Sequence, residues 1–316
     1  MHGARVIRAT APTRLDFGGG WTDVPPYPQD RGGFVCNVAI ERRARVAIQH
    51  PTTTHATEPP LARSVLEHMA LDALHGSIHN DFPVGAGLGG SSAACVALAA
   101  ATSAWHGRLP DPAELAETSR QVEVHRLGIA GGRQDHYAAA FGGALGLEFG
   151  EQVAVQRIPL TPGTIDALER RCLVYYTGES RISGNTIRAV LDSYAEGVPA
   201  VVFALDRMAS LARLMAAALT HGDVDALGAL VGEHWVHQRS LHPGITTARI
   251  EALIAATTAA GALGAKPLGA SGGGCVVILS PAGREAEVHA AAAPLAERLP
   301  FRIAQGGVRV ETDPVA

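Results

Sequence analysis

The chain holds one lysine, Lys266, in 316 residues. Arginine supplies every other permanent positive charge. With Ala and Gly abundant as well, this reads mainly as a coding bias. The scarcity still excludes one way of holding a nucleotide. A Walker-type loop needs Gly-Lys-Ser/Thr, and Lys266 is followed by Pro267. Cysteine is also sparse: Cys36, Cys95, Cys172 and Cys275 form no C-x-x-C pair. That argues against a zinc site or disulfide framework and for buried reduced thiols. Long apolar runs are missing. The Ala/Leu-rich stretches carry polar breaks within about 18 residues, too few to span a bilayer. No basic start leads into an apolar segment, so no signal peptide is expected and a cytoplasmic location fits. A net charge of −4 lacks the basic excess that nucleic acid or an anionic membrane would attract. What remains, 47% hydrophobic and 18% charged residues, is ordinary for a globular protein of one or two domains.

Along the chain, Arg5 to Thr10 reads as a strand. Ala11 to Asp23 holds too much glycine for regular structure and too many functional groups for a linker. Phe34–Ile40 and Ala44–Gln49 read as two strands paired in a hairpin or meander. A helix over 61–74 and a strand over 77–82 follow. Helices over 92–106, 112–127 and 134–141 and strands over 144–149 and 152–158 complete the first half. Pro159 to Gly163 marks a boundary, giving domains 1–160 and 161–316. The second half reads as a strand at 172–177 and helices at 184–196, 199–220, 223–236 and 246–261. A strand at 275–279, a helix at 284–298 and strands at 301–304 and 307–311 close it. This order predicts an α+β fold.

The stretch Pro83-Val84-Gly85-Ala86-Gly87-Leu88-Gly89-Gly90-Ser91-Ser92-Ala93 stands out, with four glycines in six residues ahead of a helical run. Glycine permits tight turns and close approach of backbone to ligand. A helix start behind such a loop offers free N–H groups and the positive end of the dipole, which suits phosphate. Gly85-x-Gly87-x-x-Gly90 also fits the dinucleotide fingerprint. That reading needs an acid about 20 residues on, and residues 103–109 contain none. Ser91 and Ser92 suit both helix capping and ligation of Mg²⁺.

Three separated stretches, Pro12 through Asp23, Pro83 through Ala93 and Gly264 through Cys275, resemble the GHMP kinases. Within that family the chain is similar to the heptose 7-phosphate kinase and fucokinase branch. The residues carrying this are Gly18 through Pro26, Gly131-Gly132-Arg133-Gln134-Asp135 through Gly143, and Tyr176 through Arg181. The resemblance implies a two-domain α+β fold. Its N-terminal domain would resemble ribosomal protein S5 domain 2 and its C-terminal domain would be ferredoxin-like, with ATP and substrate in the cleft.

The resemblance further implies Asp135 as the catalytic carboxylate and Arg14 beside the transferred phosphoryl group. ATP would lie against Pro83, Gly85, Gly87, Leu88, Gly89, Gly90, Ser91, Ser92, Gly272 and Gly273. Ser91 and Glu123 would hold Mg²⁺, with Ser92 close behind. Asp23, Trp21, Thr22, Gln134 and Arg181 would face the substrate, with Arg133 a second candidate for a substrate phosphate. Lys266 is expected to be a solvated loop residue. Ser271 stands where the heptose branch usually has glycine. The implied reaction is transfer of the γ-phosphoryl group of ATP to the anomeric hydroxyl of a sugar or sugar phosphate, first of all D-glycero-D-manno-heptose 7-phosphate. Alternatives are a kinase for a fucose-like sugar or cyclitol, or a catalytically silent sensor of sugar and nucleotide. Homodimerisation is left open.

Overall fold

The computed structural model describes residues 5–51, 57–128, 131–179 and 184–312. Its first strand, β1 (Val6–Gly18), runs well past Thr10 and takes in most of the segment expected to be irregular. Antiparallel pairing forces this, because Pro12 sits at a register shift where its missing N–H breaks no ladder bond. After the short α1 (Tyr27–Arg31) comes β2 (Gly33–Gln49). It is one continuous strand, where two paired strands were expected, because β1 is long enough to pair along its whole length.

Next are α2 (Pro60–His68), which stops short of residue 74, β3 (His75–Asn80) and α3 (Gly90–Trp105). α4 (Pro112–Gln121) passes into a π-helical turn, Val122–Arg126, where an unbroken helix was expected. α5 (Gln134–Phe141), β4 (Ala144–Phe149) and β5 (Val153–Ile158) follow. α6 (Pro162–Arg171), absent from the sequence reading, is capped by the Thr161 hydroxyl. Then come β6 (Cys172–Tyr176), α7 (Gly184–Ala195), α8 (Pro199–His221), α9 (Val224–Ser240) and α10 (Ala248–Ala259). The chain closes with β7 (Gly264–Pro267), β8 (Cys275–Leu279), α11 (Glu285–Ala292), β9 (Glu297–Arg298) and β10 (Arg309–Thr312). Residues 301–304 form no strand; Ile303 makes a single bridge to Ile40.

Two antiparallel sheets result. One has the order β10-β1-β2-β4-β5 with β3 on β2; the other is β7-β8-β6-β9. The alanine-rich α3 is buried along nearly its whole length and packs on β1 and β2, because its small side chains let the helix lie close to the sheet. On the other side of that sheet, Leu15, Phe17 and Phe34 meet Leu211, Ala212 and Met215 of α8. The same core runs on to Cys172, Val174 and Val277, so the two sheets share one apolar layer. This brings the end of β1 between them. No helix among the described residues is long and apolar enough to cross a membrane.

Candidate active site

The glycine loop is bent by its own backbone and held from below. Gly87 has φ +73°, and a Cβ there would lie 2.6 Å from the Leu268 carbonyl oxygen. Gly89 has φ +75°, and a Cβ there would lie 2.9 Å from Asp135 Cγ. Only glycine meets both demands. The Arg14 amide donates to Leu88 O at 3.1 Å and the Cys275 amide to Ala86 O at 2.8 Å, so strands of both sheets support the loop. Every residue from Phe82 to Ser92 lines a cavity of about 490 Å³ over the start of α3. Leu61, Ile78 and Phe82 contribute apolar lining and Ser91, Glu123 and Asp135, which mark its polar end, contribute polar groups.

Gly272 and Gly273 are not among the residues lining this cavity. The Gly272 amide donates to Ile245 O at 2.9 Å. The glycine turn instead backs the loop, since a Cβ on Gly274 would lie 2.8 Å from Ala86 O. Ser271 sits there with φ +68° and its hydroxyl bonded to the Ile245 carbonyl.

Arg14 and Asp135 meet at the polar end. Arg14 Nε donates to Asp135 Oδ1 at 2.8 Å, and Nη1 donates to Gly87 O at 2.5 Å. The guanidinium is buried while the Asp135 side chain keeps 25% exposure. Asp135 therefore has a fixed cationic partner and a free edge. That edge faces two spaces, because Asp135 lines both the large cavity and a smaller one of about 70 Å³.

Trp21, Asp23 and Gln134 line the smaller space. Trp21 has φ +84°, an outlying backbone for a bulky residue. Its ring packs in the C-terminal core, and its buried Nε1–H finds no partner among the described residues. Asp23 Oδ2 accepts from the Gln134 amide at 2.9 Å, so it also fixes the start of α5, the helix that carries Asp135. Burial, partly offset by that bond, pushes the Asp23 carboxyl up to about 6, with Asp135 and Asp16 adding to the rise. Thr22 does not face the space, contrary to expectation. It is fully buried, and its hydroxyl bridges Gly19 O at 2.7 Å and Phe34 O at 3.2 Å. Arg181 lies outside the described residues. Arg133 lines neither cavity and sits 3.7 Å from Glu117.

The π-helical turn aims Glu123 inward. Ser92 Oγ donates to Glu123 Oε2 at 2.7 Å, and His136 Nε2 lies 2.7 Å from the same oxygen. Burial would raise the Glu123 carboxyl, but His136, Ser91 and Ser92 together bring it below its ordinary value. Ser92 is buried and Ser91 exposed to the cavity. An ionised carboxylate beside an exposed hydroxyl is a donor set suited to a hard cation. No cluster of three or more His, Cys, Asp or Glu able to hold a metal occurs among the described residues.

Beneath the site lies a buried charge cluster that sequence reasoning missed. Lys266 is fully buried in β7, not solvated in a loop. Its Nζ donates to Asp16 O at 2.7 Å and lies 3.4 Å from Asp16 Oδ2. Burial alone would raise the Asp16 carboxyl, yet Lys266 and Arg14 hold it low. His234 of α9 accepts from the Gly19 amide at 2.9 Å; burial pushes its imidazole down to about 3, with Lys266 acting the same way. The scarcity of lysine marked Lys266 as unusual, but nothing near it in sequence signals a partner.

Residues 60–143 match the family described as GHMP kinases N terminal domain, and residues 215–297 match GHMP kinases C terminal. D-glycero-alpha-D-manno-heptose 7-phosphate kinase of Campylobacter jejuni is 26% identical over 303 residues, 85% of this chain and 88% of that protein. Mevalonate kinase of Thermococcus sibiricus is 32% identical over 244 residues, 74% of this chain and 68% of that protein. The bifunctional fucokinase/GDP-fucose pyrophosphorylase of Arabidopsis thaliana is 27% identical, and the match spans 30% of its length. Among solved structures, a D-glycero-D-manno-heptose 1-phosphate kinase from Bacteroides thetaiotaomicron superimposes with a TM-score of 0.77 at 25% identity, covering 96% of this chain and 98% of that one. The α+β architecture is thus the GHMP kinase fold. By family, by fold and by its paired loop and carboxylate, the chain belongs to the GHMP kinases, phosphotransferases that use ATP and an alcohol acceptor.

Proposed function

We propose that the chain transfers the γ-phosphoryl group of ATP to the anomeric hydroxyl of a sugar or sugar phosphate, with D-glycero-D-manno-heptose 7-phosphate as the first candidate. The observation that carries this reading is the position of Asp135, whose carboxylate borders both the loop cavity and the small polar space. ATP phosphates lie along the glycine loop in this reading, and the acceptor hydroxyl enters from the side of Trp21 and Asp23. Asp135 takes or orients the hydroxyl proton. Arg14 holds the Asp135 carboxyl in place and meets charge developing on the transferred group. Ser91 and Glu123 would hold Mg²⁺, which supplies charge neutralisation at the phosphates when bound. The rest of the catalysis is positioning.

The mevalonate kinase relatives raise a second reading, an acyclic hydroxy acid as acceptor. The small space argues for a polyol. Its described lining offers Asp23 and Asp135 as carboxylates, and its one cation, Arg14, is already paired with Asp135. A substrate carboxylate would meet two negative charges there, whereas sugar hydroxyls would meet acceptors; the phosphate of a sugar phosphate, in this reading, stays outside this space. The test is a panel of sugars, sugar phosphates, mevalonate and homoserine with ATP and Mg²⁺, with products identified by phosphorus NMR. A C1-phosphorylated sugar product supports the reading. Turnover of mevalonate or homoserine with no sugar phosphorylated overturns it, and so does nucleotide binding without turnover of any acceptor.

A further inference from the structure

We propose that Lys266 is a positioning residue for phosphoryl transfer: by holding Asp16, it leaves the Arg14 guanidinium on Asp135. This rests on the roles of Arg14 and Asp135 given above.

Arg14 and Asp16 are two residues apart on one strand, and their side chains therefore leave the same face of the sheet. Both are almost wholly buried, at 2% and 1% exposure. Two carboxylates, Asp16 and Asp135, thus compete for one guanidinium inside the protein. Asp16 is well placed to compete, since its Oδ1 has no hydrogen-bond partner among the described residues. A guanidinium carries five N–H donors and could reach toward it. Instead Arg14 directs Nε to Asp135 and Nη1 to Gly87 O. The cation that resolves the competition comes from the other sheet. Lys266 reaches from β7 to both the carbonyl and the carboxylate of Asp16.

Nothing else described can take its place. His234 accepts from the Gly19 amide and, with burial pushing its imidazole down to about 3, carries no charge at ordinary pH to offer Asp16. Without the Lys266 ammonium, Arg14 is the fixed cation left acting on Asp16. The guanidinium would turn toward it, and both the loop contact and the Asp135 contact would loosen. Lys266 itself lines neither cavity.

The experiment compares Lys266→Met, Asp16→Asn and the double variant in steady-state kinetics with ATP and the acceptor found for the wild type. Misplacement of a reacting group by about 1 Å costs about 100-fold. That is the fall in kcat expected for Lys266→Met, with a rise in KM for ATP beside it because the Gly87 contact that steadies the loop loosens. Asp16→Asn alone and the double variant should keep kcat within about tenfold of wild type, since neither leaves a competing carboxylate. If Lys266→Met does not fold, the double variant decides. A kcat near wild type supports the proposal and a 100-fold loss overturns it. Wild-type kcat in Lys266→Met also overturns it, as does a double variant as slow as Lys266→Met, which would mean that the ammonium acts by itself. A wild type that turns over no acceptor contradicts the proposed function instead, so the two failures are distinct.

Discussion

The 2.8 Å contact from Arg14 Nε to Asp135 Oδ1 joins the first strand to the start of the fifth helix. The same guanidinium grips the Gly87 carbonyl, so one side chain ties the proposed proton acceptor to the proposed phosphate loop. Strand, helix and loop cannot shift independently while that side chain is in place.

Asp135→Asn keeps the size of the side chain and its contact with Arg14 but removes the base. General base catalysis contributes about 10²–10⁴-fold, and a fall in kcat of that order is expected, with KM for ATP little changed. Steady-state kinetics with a coupled ADP assay reads it. Retention of near-full kcat would remove Asp135 from the chemistry.

Arg14→Lys retains a positive charge but loses the planar fork. An ammonium cannot reproduce the directions of Nε and Nη1 toward Asp135 and Gly87 O. Stabilisation of a transferring phosphoryl group by arginine is worth about 10³–10⁵-fold where it has been removed, so kcat should fall by at least about 100-fold. The check is single-turnover kinetics, which separates the chemical step from product release. Full activity in the lysine variant would mean that charge alone suffices.

Asp23 gives a stability prediction with a definite sign. Its carboxyl is pushed up to about 6 in the folded protein from an ordinary 3.8, chiefly by burial. The folded state then binds the proton more tightly than the unfolded state. Its contribution to stability is fully present below pH 3.8 and is lost as pH rises to about 6. Above that, the ionised carboxylate is a constant penalty on the order of 2–3 kcal/mol. Asp23→Asn keeps an acceptor for the Gln134 amide and removes the titration. The variant should be more stable than wild type at pH 8 by roughly that amount, with the difference vanishing near pH 4. Urea unfolding across the pH range measures this, and parallel pH profiles for the two proteins would contradict it. The same variant should raise KM for the acceptor about tenfold or more, through loss of a charged hydrogen-bond partner.

Gly89→Ala adds a methyl group in left-handed backbone, 2.9 Å from Asp135 Cγ. Gly107 has nearly the same φ, +73°, but open space around it. Both alanine variants should lose about 1–2 kcal/mol to backbone strain. Only Gly89→Ala should also lose kcat, by more than about tenfold through displacement of Asp135. Thermal unfolding and kinetics on the pair separate strain from collision; equal kcat in the two would show that the loop tolerates the methyl.

The parts legible in the sequence were those encoded by residue type at fixed spacing. The glycine loop could be read because its turns need glycine itself, whereas Asp135 was singled out by the resemblance of its Gly-Gly-Arg-Gln run to the GHMP kinases, since an acid at a helix start is by itself ordinary. The invisible parts depend on partners far along the chain. Lys266 looked solvated because Asp16, which holds it, lies 250 residues away. Thr22 was placed toward the substrate with Trp21 and Asp23 because the resemblance covers the triplet as a unit, yet its own hydroxyl is spent on the backbone carbonyls of Gly19 and Phe34. The segment 11–18 looked like loop because local composition outweighed what a long partner strand can impose. The π-helical turn at Glu123 has no compositional signature, although it directs that carboxylate inward.

The pairing of β10 with β1, Ile7 opposite Thr312 at one end and Thr10 opposite Arg309 at the other, has a consequence for how the protein can be made. Residues 1–160, released alone, would leave one side of β1 bare, and an uncovered strand edge invites pairing with another chain. The division at 160, which we keep as a proposal for the domain boundary, therefore does not mark where the polypeptide can be cut into two separately usable pieces.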